Sequence, residues 1–508
     1  MKGTVLNFQG EIVLRSSVNL PPVKISGNAA QFDPNEWWVG FKAIIAKMRR
    51  ELDIGTLRSI CVGGQGPSLV AVDRTGTPLY DSLIWMDRRA SEEAAVLSAA
   101  TKTTVDPYLI VPKIMWLKNH EPSVYERTYK FLAAYDFISY RLTGLPTSGV
   151  LRRGYTPWWS IPYWSHDHAR AAQVDTEKLP DTALVGEPIG QVTRNASTET
   201  GLAEGTTVVQ GVTDFAHDIL GAGVVDSGVA LDRGGTSQGF DLCWSESLRD
   251  SENRILTTEH IIPDRWNISG LMSTTGAVLR WFRDNFCIEE LNEAKRSRLD
   301  IYTILADKAS KAPVGSSGLV ILPYFAGERS PIWDPSARGV IYGLTLSHTK
   351  NHLIRAIMES VAYSLRNVKE LIGGLGGKVT EVRSVGGQSR SPLWNQIKAD
   401  VLGVPVVSLR QESTESLGAA MIAGCGIKVF KSFIDASNRI VRVKQRFEPN
   451  QPNLGQYSSS YAIYKKLYPT LRELYRELED DSNPIRTSDT VVIPKVLASS
   501  WKGPAEKS

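Results

Sequence analysis

Apolar and polar positions first alternate near the start of the chain. Thr4, Leu6 and Phe8 interleave with Val5 and Asn7, Gln9-Gly10 offers a turn, and Glu11 to Leu14 returns, which predicts a β-hairpin. The next period is helical, Trp37 to Met48. A short apolar strand follows, Ser59 to Gly63, running into Gly63-Gly64-Gln65-Gly66-Pro67. Helical spacing returns at Pro112 to Lys118 and at Phe131 to Leu142, the latter closed by Thr143-Gly144. Tyr155 to Trp164, with three tryptophans and two prolines, reads as a packed loop. In the second half the order strand, glycine turn, helix recurs at Leu231 to Thr236, Leu319 to Gly327 and Val382 to Gly387, which predicts a duplicated α/β unit. Leu353, Ile354, Ile357, Met358, Val361 and Leu365 fall on one helical face, so Asn351 to Leu371 is expected as an amphipathic helix with His352 at its cap. Past about residue 480 the period fades, apart from Val491 to Ile493, and residues 481–508 read as a loosely attached extension.

Composition narrows the class. A chain of 508 residues exceeds one hydrophobic core, so two domains are expected. With 42% apolar and 22% charged residues it is an ordinary globular protein. A formal net charge of +4 and the absence of any long run of like charge give no support to nucleic-acid or membrane partners. Cys61, Cys243, Cys287 and Cys425 show no C-x-x-C spacing and read as reduced thiols. No run of 18 apolar residues and no signal-peptide pattern occurs, which points to the cytoplasm.

Candidate chemistry concentrates in Gly211 to Gly239. Asp214 follows one apolar strand and Gly235-Thr236-Ser237 follows another, with Phe215 to Leu220 long enough for a helical turn or two between them. Glycine amides and a threonine hydroxyl can close on a phosphate oxygen, and a facing carboxylate can take the proton of an attacking alcohol. The same residues read equally well as a helix N-terminus favoured by its dipole and a hairpin turn. Val385-Gly386-Gly387-Gln388-Ser389 opens the helix Leu393 to Leu402 and is a second candidate anion or nucleotide turn. Leu417-Gly418-Ala419-Ala420 allows either close approach to a flat ring or tight helix packing.

These residues carry a resemblance. GERSPIWDPSARGVIYGL, Gly327 to Leu344, running on through His352-Leu353 and Ala356 to Glu359, resembles the C-terminal signature of FGGY-family carbohydrate kinases. Gly386 to Val406 resembles that family's adenosine segment, Pro112-Lys113 with Trp116-Leu117 its N-terminal signature, and Ile84 to Arg89 its sugar-side strand. The resemblance implies an α/β fold of two RNase H-like, actin-like ATPase domains around a cleft. Residues 1–225 would hold the sugar and 226–480 most of the nucleotide. It also implies ATP and Mg²⁺, a small sugar or polyol as acceptor, and Asp214 as general base. The sugar side would comprise Gln65, Asp87, Tyr108 and Asp214, and the nucleotide side Gly235, Thr236, Gly276, Gly386, Gly387 and Ser391. No metal ligand is assigned, and a homodimer is admitted.

Departures from the family pattern shape the substrate expectation. Gly66-Pro67 replaces the Arg-Glu of glycerol kinases, which argues against glycerol. Phe215 and Gly66-Pro67 replace residues usual in xylulokinases, so sugar contacts differ from theirs. Trp281 to Cys287 and Ser499-Ser500-Trp501-Lys502 are similar to autoinducer-2 kinases and keep a linear sugar of that type as a second candidate. The strand bearing Asp-x-Gly-Thr-Thr/Ser that precedes the match to Lys2-Gly3-Thr4 in family members is absent here. The resemblance therefore implies exposed sheet edges and impaired phosphate contacts, the alternative function being a non-catalytic sugar- or nucleotide-binding relative.

Overall fold

The computed structural model describes residues 1–102, 105–151 and 170–478. The tryptophan-rich stretch from Tyr155 to Trp164 and the extension 481–508 lie outside them. The predicted hairpin forms from Lys2–Leu6 and Ile12–Ser17 as a two-stranded sheet of its own. Ser59–Cys61 is the edge of a separate three-stranded sheet, paired in parallel with Thr207–Val209. Among the described residues neither Lys2–Leu6 nor Ser59–Cys61 pairs with a second strand. A five-stranded sheet holds Leu69–Val72 next to Lys130–Ala133.

That last strand corrects one expectation. Phe131 to Leu142 is a strand ending at Ala133 followed by a helix from Ala134 to Thr143. An unbroken apolar run fits a buried strand as well as a buried helix. Antiparallel pairing with the fully buried Leu69–Val72 decides for the strand.

In the second half a seven-stranded sheet places Val229–Gly234 between its hairpin partner Gln238–Trp244 and the parallel strand Glu381–Val385. The predicted amphipathic helix runs from Lys350 to Gly374, with Thr349 and His352 forming a reciprocal capping box. Ile354, Ile357, Met358 and Val361 enter a core shared with Tyr457, Tyr461 and Tyr464 of the helix Gln451–Glu477. Among the described residues no helix is long and apolar enough to cross a membrane.

One polar contact sits in the middle of the sheet. Asp232, with no solvent exposure, accepts from Lys398 Nζ at 2.6 Å and from Ser384 Oγ at 2.9 Å, and Gln238 Nε2 donates to its other oxygen. Two adjacent strands, the hairpin and the helix Pro392–Leu402 meet there. Removing one partner of a buried pair strands the other charge, a loss of about 3–5 kcal/mol. Lys398→Met is expected to lower the urea midpoint by a corresponding amount, and adding Asp232→Asn to recover more than half of it.

Candidate active site

Asp214 begins the helix Asp214–Gly221 at the end of the strand Thr207–Val209. Its backbone N–H donates to Gly64 O at 2.8 Å, and Thr213 and Gly64 form an isolated parallel bridge. This brings Gln65 beside Asp214 across some 150 positions of sequence. Its own Oδ1 accepts from Phe215 N–H at 2.8 Å. Burial, followed by the charge of Glu415, pushes the Asp214 carboxyl up to about 7, while the Phe215 amide and Arg233 pull the other way. A carboxylate with a pKa near neutrality is matched to proton abstraction from an alcohol.

The Gln65 turn is tied down from below. Lys113, wholly buried, donates to Pro67 O at 3.0 Å, Ile84 O at 2.8 Å and Leu83 O at 3.3 Å. Burial lowers its ammonium to about 7. Its role is to join the turn after Ser59–Cys61 to the segment leading into Asp87. Asp87 departs from expectation, because both its oxygens are turned inward. They accept from Ala30 N–H at 2.8 Å and hold Arg89 at 2.9 Å, with no solvent exposure. In this arrangement Asp87 positions Arg89, whose guanidinium lies 4.3 Å from the Trp116 ring centroid. Tyr108 is covered by Arg88, 5.2 Å from its ring.

On the nucleotide side three turns converge. Gly235-Thr236-Ser237 caps the hairpin between Val229–Gly234 and Gln238–Trp244, so the hairpin and phosphate-loop readings describe one object. It lies at the same sheet end as the turn after Glu381–Val385, because these neighbours are parallel. Gly386 has φ +81°, and a Cβ there would meet Gly234 O at 2.6 Å. A Cβ at Gly276 would meet Gly235 O at 2.2 Å. Gln388 Nε2 points between them, 3.3 Å from Thr275 Oγ1 and 3.5 Å from Gly235 O.

The amides of Thr275 and Ala277 both donate to Thr236 O, so part of the helix N-terminus at Gly276 is already satisfied by protein. Ser391 caps the helix Pro392–Leu402 by accepting from Trp394 N–H, which gives its oxygen a structural duty. The Leu417 to Ala420 run is helix packing, because a Cβ on Gly418 would sit 1.9 Å from His217 O.

Arginines are the residues that sequence reasoning missed. Arg233 is held by Asp241 at 2.8 Å, lies 4.9 Å from the Phe215 ring and acts electrostatically on Asp214 and Asp218. Arg329 donates to Met272 O at 3.1 Å, and no carboxylate forms an ion pair with it among the described residues. Burial comes first in lowering its pKa, the charge of Glu328 opposes it, and the charges of Arg233 and Arg88 then add to the lowering. Glu328, beside it, accepts from Ser273 and Arg329 amides, and burial pushes it up to about 7. The available signal was Asp232-Arg233, two opposite charges inside an otherwise apolar strand.

Comparison with known proteins agrees with this arrangement. The profile described as the FGGY family of carbohydrate kinases, N-terminal domain, matches residues 1–221, and that of the C-terminal domain matches 233–427. The chain belongs to the FGGY family of carbohydrate kinases. It is a phosphotransferase that moves phosphate from ATP to a hydroxyl of a small sugar or polyol. A xylulose kinase of Bacillus subtilis is 27% identical over 499 residues, spanning 94% of this chain and 96% of that protein. A gluconokinase of the same species is 26% identical over 495 residues, spanning 94% and 95%. The crystal structure of a xylulose kinase from Rhodospirillum rubrum superposes with TM-score 0.81 at 26% identity, covering 94% of this chain and 99% of that one. The two-domain kinase fold is thereby established.

The two glycines of the second turn separate folding from ligand contact. Gly386→Val is expected to destabilise the protein, through its positive φ and the Gly234 carbonyl. Gly387 has nothing within 4 Å of a Cβ, so Gly387→Val is expected to leave the melting temperature unchanged. If this turn is the nucleotide contact proposed below, calorimetry should show its ATP affinity falling at least about tenfold, since a side chain there would block close approach to the backbone.

Proposed function

We propose that Asp214 is the general base of this kinase, taking the proton of an acceptor hydroxyl as that oxygen attacks the γ-phosphate of ATP in line. Gly235 and Thr236 cradle the phosphates, and Gly276, Gly386 and Gly387 line the rest of the nucleotide path. Gln65 and Tyr108 contact the sugar, with Asp87 acting through Arg89. What supports this reading is the meeting of Asp214 with the Gln65 turn through Gly64, together with a carboxyl raised to about 7. Residues 1–225 form the sugar domain and 226–480 the nucleotide domain. The described residues hold no group of three His, Cys, Asp or Glu side chains that could cage a metal. Mg²⁺ would enter with the nucleotide phosphates and offset charge on their oxygens, and no residue of this chain is assigned to it.

The acceptor we favour is an open-chain sugar of the xylulose type, in line with the relatives named xylulose kinase. A sugar acid is the second reading. Arg329 without an ion-pair partner beside Arg88 and Arg233 favours a carboxylate, and relatives named gluconokinase fit it.

Four outcomes test the scheme. A base works only when deprotonated, so kcat/KM is expected to rise with pH through about 7 and level off above it. Asp214→Asn should cut turnover by roughly two to four orders of magnitude with sugar and nucleotide affinity within a few-fold. The folded pKa lies above the ordinary 3.8, so the stability contributed by this carboxyl falls as pH rises from about 4 to about 7 and is level above 7, and the Asn variant should gain more melting temperature over the parent at pH 8 than at pH 5. In a screen of D-xylulose, D-gluconate and glycerol by ADP release, either of the first two should exceed glycerol at least about 100-fold in kcat/KM. Glycerol as the preferred acceptor would overturn the substrate assignment.

A further inference from the structure

Arg329 has no part in the favoured scheme above, yet its surroundings hold it in place. It lies in the loop from Gly327 to Pro335, which is closed by its own backbone. Glu328 and Asp334 exchange both amide-to-carbonyl bonds at 2.9 Å, and the amides of Ile332 and Trp333 donate to Arg329 O. Gly327 has φ +69°, and a Cβ there would meet Pro335 Cα at 2.8 Å. The loop is then fastened to the end of the strand Trp266–Met272 and the residue after it. Ser330 N–H donates to Leu271 O at 2.8 Å, Glu328 Oε1 accepts from Ser273 N–H at 2.7 Å, and Arg329 Nη2 donates to Met272 O at 3.1 Å.

That anchorage sets where the guanidinium stands. Met272 pairs with Gln238, the first residue after the Gly235-Thr236-Ser237 turn, on the neighbouring strand. Four residues further on, Gly276 opens the helix Gly276–Phe286, and a Cβ on it would meet Gly235 O at 2.2 Å. Arg329 is thus tied to the sheet end from which both turns rise. From the first half of the chain, Arg88 and Tyr108 act on it electrostatically, so it lies between the glycine turns and the sugar side. Arg233 is paired with Asp241 and Arg88 with Asp106, whereas among the described residues Arg329 pairs with no carboxylate. Its neighbour Glu328 is turned to the Ser273 and Arg329 amides. Among the described residues Nε and Nη1 of Arg329 have no acceptor. A half-buried guanidinium with free donors is set to receive an anion.

We propose that Arg329 is a catalytic residue of the transfer itself, its guanidinium donating to the equatorial oxygens of the γ-phosphoryl group as that group passes from ATP to the acceptor. In this step the acceptor oxygen bonds to the γ-phosphorus while the bond from that phosphorus to the bridging oxygen breaks. The electron pair of the broken bond leaves with ADP, and the acceptor proton goes to Asp214. Arg329 transfers no proton. It meets the charge that spreads over the equatorial oxygens, and a donor already fixed in place does so without reorganising. Burial lowers its pKa, but a guanidinium stays charged at any working pH. Its planar fork can serve two oxygens at once, which an ammonium serves less well. This place for Arg329 rests on the phosphates lying at the Gly235 turn, as proposed above. A neutral open-chain sugar brings no other anion to it.

Binding and rate are read together in the test. Arg329→Ala is expected to lower kcat for D-xylulose by about 100- to 1000-fold. ATP and D-xylulose affinities should stay within about threefold, with the melting temperature near that of the parent. Arg329→Lys, which keeps the charge and loses the fork, should fall between. ADP with Mg²⁺, D-xylulose and aluminium fluoride, a mimic of the phosphoryl group in flight, should bind the parent at least about tenfold tighter than without the fluoride, and Arg329→Ala no tighter. Guanidinium ion in the medium should restore part of the rate to the Ala variant. A parental kcat in Arg329→Ala, or a parental gain from aluminium fluoride, overturns the assignment. So does a defect confined to KM for D-gluconate, which would make Arg329 an anchor for the acceptor. Thr236→Val, measured alongside, separates the two readings. If it leaves ATP affinity unchanged, the phosphate placement falls and Arg329 with it. If it weakens ATP at least about tenfold while Arg329→Ala behaves as the parent, Arg329 alone falls.

Discussion

The Asp232 carboxylate is the contact on which the seven-stranded sheet and its glycine turns depend. It is buried without exposure and shared by Lys398, Ser384 and Gln238, and so it fastens two parallel strands, a hairpin and a helix at one point. The glycine turns leave the sheet two to four residues beyond it, close enough that Gly386 and Gly276 have no room for a Cβ. Backbone amides can serve a phosphate only if they are already held in place, since any ordering left until binding subtracts from affinity. A buried ion pair is a costly way to gain stability but an effective way to fix one register among several, and here the fixed object is the turn.

Electrostatics divides the other end of the site. Asp214 and Glu328 are both raised to about 7 by burial, and the charges of Arg233 and Arg329 act on them in the opposite direction. Phosphoryl transfer requires a base that can be neutralised and cations that stabilise spreading negative charge, so this pairing of raised acids with partly desolvated arginines suits the chemistry. Desolvation decides the shifts of Asp214, Glu328 and Arg329, whereas the carboxylates of Asp241 and Asp218 hold Arg233 charged against it.

Among the described residues the first half holds its strands in several smaller sheets and the second half gathers seven into one. The seven-stranded sheet buries its central ladder on both sides, whereas the hairpin and the Ser59–Cys61 sheet face each other across an open gap between the helices Pro34–Met48 and Thr414–Gly426, which cover both. Their apolar faces are packed while their hydrogen-bonding edges are not. Side-chain burial alone can hold two sheets at the right height and tilt, because the hydrophobic effect is non-directional and the ladder is not.

The chain by itself determined what is local and periodic. The capping box at Thr349 and His352, the helix from Lys350 to Gly374, the hairpin at Gly235-Thr236 and the glycine turns were legible because caps, turns and amphipathic faces are written within a few residues. The signature Gly327 to Leu344 also sufficed for the family. Only the tertiary structure decided what each polar side chain is spent on. Asp87 turns inward to Arg89, Ser391 caps a helix, and Gly418 serves helix packing, each through partners dozens or hundreds of positions away. Phe131 to Ala133 became strand for the same reason, since an all-apolar run takes its conformation from the neighbour it pairs with. The meeting of the Asp214 and Gln65 turns and the raised Asp214 carboxyl likewise belong to the fold, because burial and field are properties of the whole surroundings and leave no mark in the sequence next to the residue.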